Sequence, residues 1–185
     1  MTMDALLCAL FDQPAHALAM PMATWLSSSR RFTAFVTSYQ SKIRKKLRAA
    51  QDAETVRDLQ LELETAYLLL RERSLSLEYE PQPKQQGRSP DFALSFTTSM
   101  LCMLEVTRLR AAQQKLPPSQ SHELSASPFA SERFAGLLCS KLGQLMPQHR
   151  NLVLLGLEPA MLRPDDLNAA MLRIQQRAES NDAAM

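Results

Sequence analysis

The chain has 185 residues, 45% of them hydrophobic, which suits one compact domain with a substantial core. Its formal net charge of +2 is nearly neutral, so the overall charge says little about partners. Three cysteines without metal-ligand spacing and four glycines without a phosphate-binding loop argue against a zinc centre, a P-loop enzyme and a dinucleotide-binding enzyme.

The N-terminus and the apolar segments predict neither secretion nor a membrane location. Asp4 and the lack of an early Lys or Arg make a poor signal peptide, and Pro14 and Pro21 interrupt the apolar stretch. No window approaches the roughly 20 apolar residues of a membrane span. Cys102 lies in an apolar run, as small core residues often do. We expect a cytoplasmic protein with reduced cysteines and no membrane partner.

Residues 1–50 are predicted to form an N-terminal helical extension. Residues 3–11 and 16–26 are typical of short helices, and Ser28 or Ser29 can cap a longer helix that ends near residue 50. Apolar residues recur along this longer helix at helical spacing, namely Phe32, Phe35, Val36, Tyr39, Ile43 and Leu47. The extension could act as a helical adaptor that self-associates through this stripe, so a homodimer is left open.

A basic zone runs through the same extension, because no acidic residue lies between Asp12 and Asp52. Its cations are Arg30, Arg31, Lys42, Arg44, Lys45, Lys46 and Arg48. A zone of this kind can hold the phosphates of a nucleic acid. The alternative is an ordinary solvated helix face, and the sequence leaves both open.

A helix at about residues 53–73 carries the first candidate site residue. Its apolar stripe centres near Leu59 and Leu70 on a helical wheel. Glu62 falls inside that stripe, whereas Glu64 falls well outside it. A carboxylate at a core position needs a partner, because burying it alone is costly. The alternative is a glutamate at the edge of the stripe that reaches water.

Three predicted strands follow. Residues 75–80 alternate in hydropathy and end at Pro81, and the polar stretch up to Pro90 is a loop. Residues 91–96 and 100–107 are the two arms of a hairpin. If that hairpin turns about Thr98, Asp91 lies opposite Glu105.

Two opposed carboxylates repel unless a cation lies between them, and a divalent metal is the usual reason for such a pair. The alternative for Asp91 is a turn-forming role after Pro90. Glu105 has apolar neighbours on both faces of its strand, so a solvated position is hard to arrange for it. Arg108 points away from Glu105 by strand alternation and is excluded from the pair.

The C-terminal part is predicted to complete an α/β fold. Residues 111–128 read as a surface connection, residues 129–146 as a helix and residues 151–157 as a buried parallel strand. Pro164, followed by two aspartates, starts a last helix. The order of elements predicts a central mixed four-stranded sheet flanked by helices.

Lys141 and Gln144 lie one turn apart on the helix at 129–146 and could reach the same end of the sheet as the acids. Their alternative is an exposed polar face. The α/β core is assigned to residues 51–180, and residues 181–185 are expected to be a disordered tail.

Several short motifs follow one another between Glu62 and Leu157, in a run that covers about half of the chain. They are Glu62-Leu63-x-x-Ala66-x-x-Leu69, Tyr79-Glu80-Pro81, Ser89-Pro90-Asp91-Phe92, Glu105-Val106-Thr107, Lys141-Leu142-Gly143-Gln144-Leu145 and the apolar strand at 151–157. This half of the chain resembles the PD-(D/E)xK, or restriction-endonuclease-like, nuclease superfamily. The resemblance implies a restriction-endonuclease-like core, with a mixed sheet that has a helix on each side.

The resemblance also implies a magnesium-dependent endonuclease or phosphodiesterase, a hydrolase that binds nucleic acid, with DNA favoured over RNA. Asp91 and Glu105 would bind Mg²⁺ or Mn²⁺, and the Val106 carbonyl would add a further ligand. Glu62 would act directly or through water. The metal would polarise a phosphodiester and lower the pKa of an attacking water.

Thr107 departs from the family pattern, which has a lysine two residues after the glutamate. Some members supply that lysine from the following helix, and Lys141 is the candidate here, with Gln144 as its companion. Without such a lysine, the chain would be a degenerate nuclease or a non-catalytic module of the same fold. A module of that kind would bind nucleic acid or a protein partner.

Overall fold

The structure, a computed structural model, describes residues 2–12, 15–81, 89–97, 99–110, 128–142, 145, 148–157 and 164–182. The predictions made for the loop at 82–88, the turn at Thr98, the connection at 111–127, Gln144 and the tail at 183–185 lie outside these residues. The chain has an α/β fold with a four-stranded mixed sheet flanked by helices, as predicted. Among the helices that the structure describes, none is long and apolar enough to cross a membrane.

Five helices occupy the N-terminal part of the chain. They are α1 (Met3–Leu10), α2 (Ala19–Ser28), α3 (Arg30–Ser38), α4 (Gln40–Ala49) and α5 (Ala53–Leu69). Ser29 caps α3 as predicted, because its side chain accepts a hydrogen bond from the Phe32 N–H at 3.2 Å.

The prediction of one helix up to residue 50 is wrong at Tyr39. The backbone there has φ −110° and ψ 20°, outside the helical region, so α3 and α4 are separate helices. The Tyr39 ring packs at this break against Phe35 and Tyr79, with centroid distances of 5.1 Å and 5.7 Å. Aromatic packing thus accompanies the break between α3 and α4, which the helical spacing of apolar residues in the sequence does not reveal.

The sheet has the strand order β1 (Leu75–Tyr79), β2 (Phe92–Phe96), β3 (Ser99–Arg108) and β4 (Asn151–Gly156). Strands β1, β2 and β3 are consecutive antiparallel neighbours. The Met103 N–H donates to the Arg150 carbonyl and the Leu109 N–H to the Gly156 carbonyl, so β4 runs parallel to β3.

The prediction of a buried fourth strand is wrong. Every residue of β4 is partly or fully exposed, and Leu152 is 50% exposed. The strand comes last in the strand order, so it lies at an edge of the four described strands. An apolar run therefore indicated a strand here, but not its burial.

The chain divides into two compact units. The first comprises Met1–Thr107 and Met146–Leu154, and the second comprises Arg108–Leu145 and Leu155–Met185. The second unit holds α6 (Pro128–Leu142) and α7 (Pro164–Asp182). Its small core consists of Leu109, Phe134, Ala135 and Ala170, with partly buried Leu137, Leu138, Leu155 and Ile174 packed against it.

One hydrophobic core joins α1–α5 to β1, β2 and β3 in the first unit. Phe35 of α3 contacts both Tyr79 of β1 and Phe92 of β2, at centroid distances of 5.6 Å and 6.4 Å. Phe32 and Ile43 of the apolar stripe are fully buried in this core. The stripe therefore packs within the chain's own core. Self-association of the N-terminal extension stays a prediction.

Arg31 connects α3 to the end of α5 and to the start of β1. Its guanidinium donates to the Leu70 carbonyl at 2.8 Å, to the Glu72 carbonyl at 2.5 Å and to the Leu75 carbonyl. Carbonyls at a helix C-terminus have no intrahelical partner and carry partial negative charge, so a cation stabilises them. This contact helps to hold in place the strand whose far end reaches the site described next.

Candidate metal-binding and catalytic site

The register of the β2–β3 hairpin brings two predicted acids together. Phe92 pairs with Leu104, Ala93 with Met103 and Leu94 with Cys102, which is the register predicted for a turn about Thr98. Continuing it by one residue places Asp91 opposite Glu105. The register shifts only between Leu94 and Ser95, nearer the turn. The prediction is confirmed for the part of the hairpin that leads to the acids.

Asp91 is held between the ends of two strands. Its Oδ2 accepts a hydrogen bond from the Val106 N–H at 2.8 Å. Its backbone carbonyl accepts one from the Glu80 N–H at 2.8 Å, just beyond β1. Glu105, the residue before Val106, is only 3% exposed. Glu80 and Asp91 thus lie at adjacent ends of β1 and β2, and Glu105 lies within β3 beside them.

Helix α5 contributes Glu62, as its place in the apolar stripe predicted. The Glu62 side chain is 12% exposed. Its Oε1 accepts a hydrogen bond from the Tyr79 hydroxyl at 2.5 Å and another from the Lys46 ammonium at 2.7 Å. A carboxylate at a core position has therefore found the partners that its burial requires.

The ammonium among these acids belongs to Lys46 of α4. Its Nζ lies 2.7 Å from Glu62, 2.9 Å from Glu80 and 3.9 Å from Asp91. It also lies 4.9 Å from the centre of the Tyr79 ring, within the range of a cation–π contact. We call Lys46 and the four carboxylates of Glu62, Glu80, Asp91 and Glu105 the acidic site.

Lys42, one turn earlier on α4, holds the neighbouring backbone. Its Nζ donates to the Tyr79 carbonyl at 2.9 Å and to the Glu80 carbonyl at 3.0 Å. The same Nζ is 3.9 Å from the Glu80 carboxylate. Lys42 and Lys46 of α4 therefore both contact the end of β1. From the sequence, both are predicted only as members of the basic zone.

The electrostatics of Asp91 show an excess of negative charge. Burial first, and then the Glu62 and Glu105 carboxylates, raise the pKa of Asp91 to about 7. The Val106 N–H and the Lys46 ammonium lower the pKa of Asp91, but by less. The acidic site thus contains more carboxylate charge than its ammonium neutralises.

Lys46 and Tyr79 keep their protons in this environment. Burial lowers the pKa of Lys46, but Glu62, Glu80 and Asp91 together outweigh it and raise that pKa above its ordinary value. Burial and the neighbouring carboxylates, Glu62 first, raise the pKa of Tyr79 well above its ordinary value. Lys46 therefore acts as a permanent cation, and Tyr79 as a hydrogen-bond donor.

The remaining predicted site residues have different outcomes. Lys141 lies on α6 in the second compact unit, whereas the acidic site is built entirely from the first. Gln144 lies outside the described residues. Their catalytic role stays a prediction. The ammonium that the first unit itself supplies is that of Lys46.

Sequence reasoning missed Lys46, Tyr79 and Glu80, although Lys46 carried a usable signal. Ile43, Lys46, Leu47 and Ala50 follow the i, i+3, i+4, i+7 spacing of a buried helix face. Lys46 is thus a charge inside an apolar stripe, as Glu62 is on α5.

The chemistry of the site fits a divalent cation. Asp91 and Glu105 offer hard oxygen donors. Burial first, and then the neighbouring carboxylates, raise the pKa of Asp91, and a divalent cation would relieve the repulsion among those carboxylates. In the part of the chain that the structure describes, no three His, Cys, Asp or Glu side chains are already grouped as a metal site. The Lys46 ammonium lies between Glu62 and Asp91 instead.

Most of the basic zone is used within the chain. Arg44 and Arg48 bind Asp12 at 2.8 Å and 2.6 Å, and these guanidinium hydrogen bonds lower the pKa of Asp12. With Arg31, Lys42 and Lys46, five of the seven basic residues make intramolecular contacts. The zone therefore ties helices and strands together, whatever else it contacts.

No protein-family model, no curated protein and no solved structure matches the chain. Its function is therefore argued from the geometry and charge of the acidic site.

Proposed function

We propose that the chain is a metal-dependent nuclease of the PD-(D/E)xK type, which hydrolyses phosphodiester bonds of nucleic acid, with DNA ahead of RNA. Thr107 stands where the family has its lysine, and Lys46 supplies the positive charge in its place. The observation that carries the proposal is the Lys46 ammonium, 3.9 Å from Asp91 and 2.7 Å from Glu62 in a largely buried cluster of carboxylates.

Asp91 and Glu105 are the proposed holders of Mg²⁺ or Mn²⁺, and the Val106 carbonyl is a further oxygen donor. The Val106 N–H already fixes one Asp91 oxygen at 2.8 Å, which limits how that carboxylate can turn. When bound, a divalent cation would polarise the phosphodiester and lower the pKa of an attacking water.

The remaining groups position positive charge beside this pair. The Tyr79 hydroxyl and the Lys46 ammonium share Glu62 Oε1, so Glu62 orients the lysine rather than standing alone in the core. Lys46 offers a fixed positive charge where negative charge grows on a phosphate during hydrolysis. A preorganised charge of this kind is most effective where water is largely excluded.

The test is a cleavage assay on labelled single- and double-stranded DNA and RNA, with Mg²⁺ or Mn²⁺. Wild type should cleave at least one substrate, and chelation of the metal should stop the reaction. Asp91→Asn, Glu105→Gln and Lys46→Met should each lower the rate about 100-fold or more. Lys45→Met is the matched control, because Lys45 is the exposed neighbour of Lys46. No cleavage of any substrate with either metal would refute the proposal.

A second candidate function is a non-catalytic module that binds nucleic acid. The observation in its favour is that Lys46 already neutralises part of the acidic site, with contacts of 2.7 Å and 2.9 Å to Glu62 and Glu80. This function predicts a salt-sensitive shift of nucleic acid that persists in Asp91→Asn, without cleavage. Cleavage that disappears in Asp91→Asn would exclude it.

A further inference from the structure

Glu80 has a backbone conformation that its residue type rarely adopts. Its φ is 46°, in the left-handed region that favours glycine, and it immediately precedes Pro81. A non-glycine residue in this region is strained and persists only where its surroundings hold it there. The contacts of Glu80 show what holds this conformation and where its side chain lies.

The surroundings of Glu80 hold both its backbone and its carboxylate. Its N–H donates to the Asp91 carbonyl at 2.8 Å, and its own carbonyl accepts from Lys42 at 3.0 Å. One carboxylate oxygen lies 2.9 Å from Lys46, and the other lies 3.9 Å from Lys42. The strained backbone thus presents the carboxylate to the two lysines of α4.

The position of the Lys46 ammonium depends on this carboxylate. The Lys46 Nζ lies 2.7 Å from Glu62 Oε1 and 2.9 Å from Glu80 Oε1, whereas it lies 3.9 Å from Asp91 Oδ1. The Tyr79 hydroxyl anchors Glu62. Removal of the Glu80 charge would leave Glu62 and Asp91 as the carboxylates nearest to the ammonium. The ammonium would then shift towards Asp91, because the pull of Glu80 no longer opposes that attraction.

We propose that Glu80 is a positioning residue, which holds the Lys46 ammonium away from Asp91 and so leaves the Asp91 carboxylate to a divalent cation. The benefit to cation binding rests on the proposed function. The positioning itself is a property of the chain without any ligand, so the two parts can fail separately.

Double-mutant cycles on urea unfolding test the positioning. The coupling between Lys46→Met and Asp91→Asn is measured in wild type and again in Glu80→Gln, which keeps the size of the side chain and loses its charge. The coupling should be larger in Glu80→Gln, because the ammonium then pairs with Asp91. Glu78→Gln, at an exposed position on β1, should leave the coupling unchanged. Equal coupling in wild type and Glu80→Gln would overturn the positioning role.

Titration calorimetry with Mn²⁺ tests the consequence. Glu80→Gln should weaken Mn²⁺ binding about 10-fold, the equivalent of one displaced charge contact. In a Lys46→Met background the same change should have little effect, because no ammonium is left to move onto Asp91. Lys46→Gln replaces Lys46→Met if the latter does not fold.

The background comparison separates this role from direct metal binding. If Glu80→Gln weakens Mn²⁺ binding equally with and without Lys46, Glu80 acts on the metal itself, and the proposed benefit of positioning to cation binding is refuted. If wild type binds no Mn²⁺, the benefit to cation binding and the proposed metal site are both refuted. The unfolding cycles then still decide whether Glu80 positions Lys46.

Discussion

Helix α4 makes two sets of ion pairs that have similar distances and different surroundings. Arg44 and Arg48 meet Asp12 at 2.8 Å and 2.6 Å, and the Asp12 side chain is 45% exposed. Lys46 meets Glu62 at 2.7 Å, and the Glu62 side chain is only 12% exposed. We call the first set the Asp12 bridge, and compare it with the acidic site.

The comparison shows that exposure, more than distance, decides what an ion pair does. Water and salt screen the Asp12 bridge, so its strength is limited and its role is to tie α1 to α4. In the acidic site, Glu62 and Asp91 have already lost most of their water, and removal of Lys46 takes away the ammonium that lies beside both of them. The exposed Asp12 bridge links two helical segments, whereas the largely buried Lys46–Glu62 pair determines the net charge of the acidic site.

The largest expected effect comes from Lys46→Met. It leaves Glu62 without its cation and Asp91 with more unbalanced negative charge, so the free energy of unfolding should fall by about 3–5 kcal/mol. Urea unfolding measures this loss, with Lys45→Met as the control at the adjacent exposed position. Equal stabilities for the two variants would remove the distinction between buried and exposed pairs.

A smaller effect is expected from pH acting on Asp91. Its pKa is raised from 3.8 to about 7, so the folded state binds more protons than the unfolded state between these values. Stability should therefore fall as pH rises from about 4 to about 7, by about 2–3 kcal/mol, since partial solvent contact reduces the full effect.

Asp91→Asn should remove most of this pH dependence in unfolding experiments. Mg²⁺ should restore stability to wild type above neutral pH, because a cation opposes the repulsion among the carboxylates, and should not do so for Asp91→Asn. A wild-type stability that rises through the same pH range, with the variant rising in parallel, would contradict the assignment of Asp91.

Tyr79→Phe should have a moderate effect. It removes the hydroxyl that donates to Glu62 and retains the ring that packs against Phe92 at 5.4 Å. The loss should be about 1.5–2 kcal/mol, because the bond is made to a charged, mostly buried acceptor. Tyr67→Phe is the control, since its hydroxyl shares a hydrogen bond with Ser28 in an exposed position. A larger loss for the control would contradict the expectation.

The smallest effect should come from Arg48→Met in the Asp12 bridge. The pair is exposed, and its loss should lower the free energy of unfolding by about 1 kcal/mol or less. High salt should reduce the difference from wild type further, because it screens exposed charges. A loss as large as that of Lys46→Met would show that exposure does not separate the two regions.

The parts of the fold that were predicted correctly depend on local periodicity. The apolar stripe on α5 indicated a core position for Glu62, whose side chain is 12% exposed, and strand alternation predicted the register that sets Asp91 opposite Glu105. Both patterns repeat within a few residues, so neighbours along the chain carry the information. The same reasoning could not find the break at Tyr39, because its ring packs against residues far away in sequence.

The cation of the site illustrates the limit most directly. The position on the helix at 129–146 and the resemblance both favour Lys141. The ammonium that contacts the acids is instead that of Lys46, which precedes Glu62 in the chain. In the sequence Lys46 is one of several cations in the basic zone. Its partners lie on other elements, so its contacts depend on how those elements pack against α4. No sequence pattern marks Glu80, because contacts with α4 and Asp91 hold its left-handed φ.

The amino-acid order alone determined the apolar faces of the helices, the hairpin register next to the acids and the position of Glu62 within an apolar stripe, because each follows from spacing between near neighbours in the chain. Only the tertiary structure decided that α4 delivers an ammonium to the strand ends, and that Glu80 shares it with Glu62. Contacts between charges distant in sequence depend on how whole elements pack. The net charge of the site, and with it any affinity for a cation, therefore depends on the tertiary structure and cannot be inferred from a short sequence motif.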